Sequence, residues 1–499
     1  MTVGDLVGRT PSLRLEGLGS SVWDRDVTAV DYDSRRVTAG SIFVALNGQY
    51  FDGAAFAGDA EAQGALLVVS ASPPSIHVHI PWLVVEDARL TLAELAAAFH
   101  NDPSRNLTVV GVTGTNGKTS TMYLLTSIFT AAGRPCGQIG SVGYDTGGVQ
   151  REAERTTPEA PEVQGLLREM VQHQRKACVM EVSSHALEMR RVDKTRFAAA
   201  TFSNLTRDHL DYHMDMNHYF GAKRRLFEML PDGAPAVINI DDPFGRQLVQ
   251  VVSRPVTYAI DRPADVAPER VAVSLSGASI DLHSPRGRLH LRSQLAGKFN
   301  VYNVLAAAST AIALDVPFRA IEQGINGLKR VPGRFEIVSS REDEMSVVID
   351  YAHTDDALRA VLGAARELCS GRVISVFGCG GDRDSSKRPL MGAVAARLSD
   401  LVVLTSDNPR SEEPDGIIDE IRKGMDMFTT STAGPAPLSI PDRGVAIEYA
   451  IDAAESGDMV IIAGKGHESH QVVGNERRPF DDRLVAGAAL ARRRARSHA

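Results

Sequence analysis

The chain has 499 residues, more than one hydrophobic core sustains, so about three domains are expected. Its 43% hydrophobic and 23% charged residues are ordinary for a globular protein, and the formal net charge of −8 argues against a broad nucleic-acid surface while leaving room for a local cationic site. No apolar run is long enough to span a bilayer, the start MTVGDLVGRTPSLRLEGLG has no signal-peptide pattern, and Cys136, Cys178, Cys369 and Cys379 show no metal-ligand spacing, so reduced thiols and a cytoplasmic location are expected.

Three blocks follow in chain order. Residues 1–102 hold the strand-like runs SIFVAL and ALLVVS and end at the break HNDPSRN. Residues 103–332 open with LTVVGV, and residues 333–499 contain SVVID, RVISVFG, LVVLTS and MVIIAG. In the last two blocks short β-branched runs end abruptly in polar or glycine residues, with helical patterns such as TMYLLTSIFTAAG and RPLMGAVAARLSD between them. That is the pattern of buried parallel strands in an α/β fold. The basic end ARRRARSHA reads as a frayed, solvated helix terminus. Ligands in open α/β sheets bind beyond the carboxyl ends of the strands, and most of the chemically interesting residues here fall at those ends.

The first such end is Gly111-Val112-Thr113-Gly114-Thr115-Asn116-Gly117-Lys118-Thr119-Ser120, after a strand and at the start of a helix. Glycines let the backbone turn its N–H groups onto a polyphosphate, Lys118 can reach the β- and γ-phosphates, and Thr119 can offer its hydroxyl to Mg²⁺. The match to the phosphate-loop pattern is a variant, because Val112 stands where that pattern has glycine. MEVSSHAL puts Glu181 just after one strand, and SNLTRDHLDYH puts His209 just after another. Both suit Mg²⁺ if they lie near phosphate. Taken alone, Glu181 reads equally as a helix N-terminal charge and His209 as a core histidine. Lys223 in HYFGAKRRLF is ambiguous by itself.

The runs GVTGTNGKTS, MEVSSHAL, FSNLTRDHLDYHMDMNHYFGAKRRLF, GKFNVYNVLAA, VPGRFE, DYAHTDDAL, FGCGGDRDSSKRPLMG, SDNPRSEEP and GKGHESHQ occur in one order, and together they resemble the Mur ligases of peptidoglycan synthesis. The likeness runs from about Asp33 to the last helix, and GGDRD, DNPR and GKGHE point to the members that add the third amino acid. The resemblance implies three domains: a smaller N-terminal α/β domain for the UDP end, a central P-loop sheet for ATP, and a C-terminal Rossmann-like domain for the incoming amino acid. It implies a cytoplasmic, monomeric enzyme acting on small molecules, with no nucleic-acid partner and no membrane insertion. Its reaction would join meso-diaminopimelate to the D-glutamate of UDP-N-acetylmuramoyl-L-alanyl-D-glutamate through an acyl phosphate. The alternatives are L-lysine as acceptor, another Mur or folylpolyglutamate synthase-type ligase, or a regulatory ATPase with decayed ligase sites.

The same resemblance implies roles. ATP would lie against Gly114, Thr115, Asn116, Gly117, Lys118, Thr119, Ser120, Asn300, Asn303, Arg334 and Asp350. Mg²⁺ would be held by Thr119, Glu181, His209 and Lys223, with Lys223 carried as a CO₂-derived carbamate. Ser34, Thr156, Thr157, Ser183 and Arg191 would hold the UDP-muramoyl dipeptide. Arg383, Asp407, Asn408, Pro409, Arg410, Gly464 and Glu468 would hold diaminopimelate. His353, grouped with Lys118 and Lys223 as the catalytic set, would orient groups or relay a proton near the nucleotide–acceptor boundary, or else make a structural hydrogen bond. Departures from the family pattern are Asp355 for proline, Met189 for glutamine, and Gln49-Tyr50-Phe51 near the UDP loop. For Arg410 the alternative is a solvated charge answering Glu412 and Glu413.

Overall fold

The computed structural model describes residues 1–13, 20–48, 52–74, 76–426 and 437–497, so Gln49-Tyr50-Phe51 and the last two residues of the basic end lie outside it. The N-terminal part is a four-stranded parallel sheet in the order Ala29–Asp31, Ser41–Ala45, Leu67–Ser70 and Trp82–Val84, backed by the helix Ala88–Phe99. Ile42, Leu67, Val69 and Leu95 are fully buried between them.

The central sheet runs Pro255–Tyr258, Ala236–Asn239, Ala199–Phe202, Thr108–Thr113, Ala177–Glu181, Cys136–Ile139 and Tyr144–Asp145, and only the last strand is antiparallel. Thr108–Thr113 lies in the middle because it is apolar on both faces: Val109, Val110 and Val112 are fully buried. The following helix, Lys118–Ala131, buries Met122, Leu124, Leu125, Ile128 and Phe129. Each such side chain contributes about 1.5–3 kcal/mol of apolar burial. A three-stranded antiparallel meander, Ala267–Ser274, Gly277–Ser284 and Gly287–Ser293, joins this part. The parallel-strand pattern read from the sequence did not include it.

The C-terminal sheet runs Glu336–Ile337, Ser346–Asp350, Met459–Ala463, Val373–Phe377, Leu401–Leu404 and Leu438–Ser439, parallel except for the first. It corresponds to the runs SVVID, RVISVFG, LVVLTS and MVIIAG. The last helix, Asp482–Ser497, is not frayed over its described length. Arg492 pairs with Glu448 at 2.7 Å, Arg494 with Asp343 at 3.0 Å and Arg496 with Asp452 at 3.4 Å, while Arg493 donates to Ile451 O at 2.7 Å. The local run of like charge is answered by acids that sequence proximity does not reveal. Among the described residues no helix is long and apolar enough to cross a membrane.

Candidate active site between the central and C-terminal sheets

The phosphate loop begins where Thr108–Thr113 ends. Gly114 and Gly117 have φ of 149° and 87°, and an added Cβ would stand 1.9 Å from Ser203 Oγ and 2.4 Å from Asn303 Oδ1, respectively. Only glycine allows both the turn and the close approach. The loop is pinned from outside: Thr115 N donates to Asn204 O at 2.9 Å and Asn116 N to Asn204 Oδ1 at 2.9 Å. Asn303 Nδ2 donates to Asn300 Oδ1 at 2.9 Å and Asn300 Nδ2 to Ala296 O at 2.8 Å, so this asparagine pair abuts the loop from the start of the helix Lys298–Ala313.

Two lysines converge on one carbonyl. Lys118 Nζ donates to Gly114 O at 2.9 Å and Thr115 O at 2.8 Å, and Lys223 Nζ donates to the same Gly114 O at 2.8 Å. Lys223 is buried, with its Nζ 4.6 Å from the centre of the Tyr219 ring. Burial first, and then the charge of Lys118, push its ammonium well below the usual lysine range. Burial also lowers Lys118, against the pull of Glu181 and Asp208.

Glu181 is buried at the end of its strand, and its Oε1 accepts from Thr119 Oγ1 at 3.0 Å, Ser141 N at 2.9 Å and Ser141 Oγ at 3.2 Å. Ser120 is buried beside Thr119. His209 sits in the left-handed region at φ 54°, 3.3 Å from the Asp208 carboxylate, and burial holds its imidazole well below the usual range. Glu181 bonds to Thr119 in the first turn of the phosphate-loop helix, and the His209 ring packs against those of His185 and Tyr219 at 4.9 and 6.2 Å between centres. Among the described residues no three His, Cys, Asp or Glu side chains form a ready-made metal cluster. One buried carboxylate with a threonine hydroxyl at a phosphate loop suits Mg²⁺, which takes few protein ligands and completes its shell with water and phosphate.

The C-terminal part reaches into this site. Arg334 Nη2 donates to Thr119 Oγ1 at 3.1 Å and Ser141 Oγ at 3.3 Å, and its guanidinium lies 4.5 Å over the Tyr351 ring. Asn116 Nδ2 donates to Asp356 at 3.2 Å, and Arg207 Nη2 donates to Ser386 Oγ at 2.6 Å. Asp350 accepts from Phe335 N at 2.6 Å and Ala352 N at 2.7 Å, so its carboxylate shapes the turn that carries Arg334. His353 is half-buried; it donates through Nδ1 to Tyr351 O at 2.9 Å and is lowered by burial and by Lys387. His467 was missed by the sequence reading although it lies inside GKGHE. Its Nε2 donates to Ser141 O at 2.9 Å, and burial with Arg334 beside it pushes the imidazole down to about 3.

Where the sequence leads us to expect the acceptor, Arg410 and Arg383 flank Gly380: a Cβ there would lie 3.0 Å from Arg410 Nη1 and 3.8 Å from Arg383 Cγ. Arg410 donates to Gly381 O at 2.7 Å, Arg383 to Asp382 O at 3.1 Å, and neither has an ion pair among the described residues. Burial and the neighbouring Arg383 lower Arg410. Glu412 does not answer Arg410; it accepts from Arg388 at 2.8 Å. Asn408 Nδ2 donates to Glu468 at 2.9 Å, and the buried Lys465 donates to Glu468 at 2.9 Å and Asn408 Oδ1 at 3.1 Å. Asp407 is buried, Pro409 links it and Asn408 to Arg410, and Gly464 N donates to Asp350 O at 3.1 Å. Beneath them Arg443 and Asp482 form a fully buried pair at 2.7 Å, and Arg443 also donates to Ala463 O at 3.0 Å.

On the other side of the phosphate loop Thr157 Oγ1 donates to Glu181 O at 2.8 Å and accepts from Ser183 N at 3.1 Å, with Thr156 half-buried beside it. Arg191 donates to Thr157 O at 3.2 Å and pairs with Glu159 at 2.9 Å; Met189 Sδ lies 3.1 Å from its Nη2. Ser34 is some way along a cavity of 1310 Å³ between the N-terminal and central sheets, which Tyr32, Arg36, Arg89, Arg155 and Glu159 also line. Thr157 thus meets both Ser183 and Arg191, and Ser34 reaches this group through Glu159, which lines the same cavity and pairs with Arg191. Asp355 opens the helix Asp355–Leu368, where an acid favours the helix dipole.

Residues 26–100 match the family description "Mur ligase family, catalytic domain", 112–311 "Mur ligase middle domain" and 333–466 "Mur ligase, glutamate ligase domain". The chain is 44% identical to a UDP-N-acetylmuramoyl-L-alanyl-D-glutamate–2,6-diaminopimelate ligase of Geobacter sulfurreducens, over 93% of this chain and 95% of that one, and 45% identical to one of Gloeobacter violaceus, over 95% and 96%. A solved structure of a ligase with the same name superposes with a TM-score of 0.68 at 33% identity, over 99% of each chain. A MurF ligase from Thermotoga maritima in complex with ADP shares the fold, with a TM-score of 0.61 at 17% identity, over 94% of this chain and 98% of that one. The chain belongs to the Mur ligase family.

Proposed function

We propose that this protein is the ATP-dependent ligase that joins meso-diaminopimelate to the D-glutamate carboxylate of UDP-N-acetylmuramoyl-L-alanyl-D-glutamate, a cytoplasmic step of peptidoglycan precursor synthesis carried out by a monomer. Its division would be 1–102, 103–332 and 333–499. The observation that carries the reading is the meeting of Arg334 with Thr119 at 3.1 Å, because it joins the phosphate loop to the domain that holds Arg410 and Glu468.

The γ-phosphoryl group of ATP passes to the D-glutamyl carboxylate, giving an acyl phosphate and ADP. The amine of the acceptor then adds to the acyl carbon, and phosphate leaves. Most of the protein's part is alignment and charge neutralisation. Lys118 and Arg334 offset charge on the transferring phosphoryl group, at the N-terminus of the helix Lys118–Ala131. Asn300 and Asn303 fix the loop on the nucleotide side, and Asp350 holds the Arg334 turn. Thr119, Glu181, His209 and Lys223 would hold Mg²⁺, which supplies charge neutralisation between carboxylate and phosphates. Lys223 suits carbamylation, since the neutral amine favoured by its burial is the form that adds CO₂. The product sets a carboxylate beside the Lys118 cation, in place of an amine whose protonation burial and Lys118 disfavour.

Thr156, Thr157, Ser183 and Arg191 hold the dipeptide end of the donor, and Ser34 the UDP end. Arg383 and Arg410 take acceptor carboxylates, and Glu468 takes the distal amine, framed by Asp407, Asn408, Pro409 and Gly464. His353, with its Nδ1 proton committed to Tyr351 O, offers Nε2 to a proton leaving the attacking amine. The test is phosphate release from ATP with the UDP-muramoyl dipeptide, with meso-diaminopimelate, with L-lysine, and with neither. Turnover only with diaminopimelate is expected; equal use of L-lysine overturns the acceptor assignment.

A further inference from the structure

The loop Gly464–Glu468 works in two directions. Glu468 is fixed within its own domain by Asn408 and Lys465. His467, one residue earlier, crosses to the central domain. Its Nε2 donates to Ser141 O at 2.9 Å, and its Nδ1 accepts from Arg334 Nη1 at 3.3 Å. These two bonds require the neutral Nε2–H tautomer. The imidazole centre lies 5.2 Å from that of Tyr351, whose ring also supports the Arg334 guanidinium.

The backbone adds a second link. Gly333 and Gly466 touch: a Cβ on Gly333 would stand 2.1 Å from His467 N, and one on Gly466 would stand 2.8 Å from Gly333 O. Arg334 follows Gly333, and His467 follows Gly466. The loop that carries Glu468 and the arginine that reaches Thr119 are therefore in register twice, through the imidazole and through a glycine contact. Neither can shift by an ångström without the other.

We propose that His467 is a positioning residue that couples the acceptor pocket to the phosphate site, by holding Arg334 on Thr119 and Ser141 when the Glu468 loop is in place. The proposal rests on the ligase reading above. An acceptor that orders the loop orders Arg334, and a nucleotide that engages Arg334 orders the loop. Linkage makes the two effects equal: the factor by which diaminopimelate tightens nucleotide binding is the factor by which nucleotide tightens diaminopimelate binding.

The experiment titrates ADP with Mg²⁺ into the full-length protein with and without saturating meso-diaminopimelate, and runs the reverse titration. The variants are His467→Phe, which keeps a ring against Tyr351 and loses both hydrogen bonds, and His467→Asn, which keeps an acceptor near the Nδ1 position and loses the donor to Ser141 O. For the unchanged protein the expected coupling is about fivefold or more in both directions, falling to about one in His467→Phe and to an intermediate value in His467→Asn. Diaminopimelate binding without nucleotide is expected to stay within about twofold of the unchanged protein in both variants, which separates coupling from a merely structural role. Gly466→Ala, which displaces the loop and keeps the imidazole, is expected to lose the coupling too and serves if His467→Phe melts early. Undiminished coupling in His467→Phe overturns the proposal, as does loss of diaminopimelate binding by that variant in the absence of nucleotide. Failure of the unchanged protein to bind diaminopimelate is a different result: it overturns the acceptor assignment first and the coupling with it.

Discussion

The phosphate site and the acceptor pocket handle charge in opposite ways. Around the phosphate loop the charged groups already have partners: Glu181 takes three hydrogen bonds from Thr119 and Ser141, Arg334 is held by those hydroxyls and His467, and both lysines lie on Gly114 O. In the proposed acceptor pocket Arg383 and Arg410 donate to backbone carbonyls, form no ion pair among the described residues, and repel each other. The first region is built in advance and shared between domains. In the proposed function the second takes its carboxylate from the ligand. A change in the first should therefore fall on turnover, and a change in the second on the acceptor's KM.

The largest expected effect is that of Lys118→Ala, which removes a preorganised cation: phosphate release falls by about 10²–10³-fold or more with the fold intact by circular dichroism. A folded variant with normal turnover would erase the contrast between the regions. Next is Lys223→Ala, expected to be nearly inactive, with activity partly restored by formate or acetate, small carboxylates that can stand where the carbamate would. No rescue by either anion, or a bare ammonium at Lys223 in active protein by mass spectrometry under CO₂, would sink the carbamate.

Arg410→Ala sharpens the comparison from the other side. The KM for diaminopimelate should rise about 30–100-fold, equivalent to about 2–3 kcal/mol for a lost charge-assisted pair, while the KM for ATP stays near its original value. A matching rise in the ATP KM would show that the two regions are not separable. The smallest effect concerns pH. Burial depresses His467 to about 3 and His213 to about 4, so both are neutral when folded and bind protons more readily when unfolded. Stability from these two groups is complete above the unfolded histidine value of about 6.5 and declines as pH falls from there toward 4 and then 3. The thermal midpoint should drop by a few degrees between pH 7.5 and 5, and His467→Phe should drop less. A midpoint that rises on acidification would reverse the sign.

The parallel strands were legible because burial on both faces leaves uninterrupted apolar runs, and the phosphate loop because its glycines and Lys118 are contiguous. The antiparallel meander was not, since Ala267–Ser274 alternates weakly and exposes most of its residues. Site residues were proposed from motifs read as holding one role each. GKGHE holds three, and the sequence pointed to Glu468 while passing over Lys465 and His467, whose partners Asn408, Ser141 and Arg334 lie between 57 and 326 positions away. The docking of the C-terminal arginines was invisible for the same reason: a run of like charge looks solvated until its distant acids are known.

The buried pair of Arg443 and Asp482 ties the acceptor pocket to the far end of the chain. Asp482 opens the last helix, yet its partner Arg443 also grips the carbonyl just before Gly464. A chain clipped ahead of Asp482 would keep every residue proposed to face substrate and leave a lone cation beneath Gly464, where a buried charge without its counterpart is strongly destabilising. The terminal helix is thus a keystone rather than a tail, and proteolytic trimming or a domain fusion that unseats it would disarm the enzyme from a place no substrate touches.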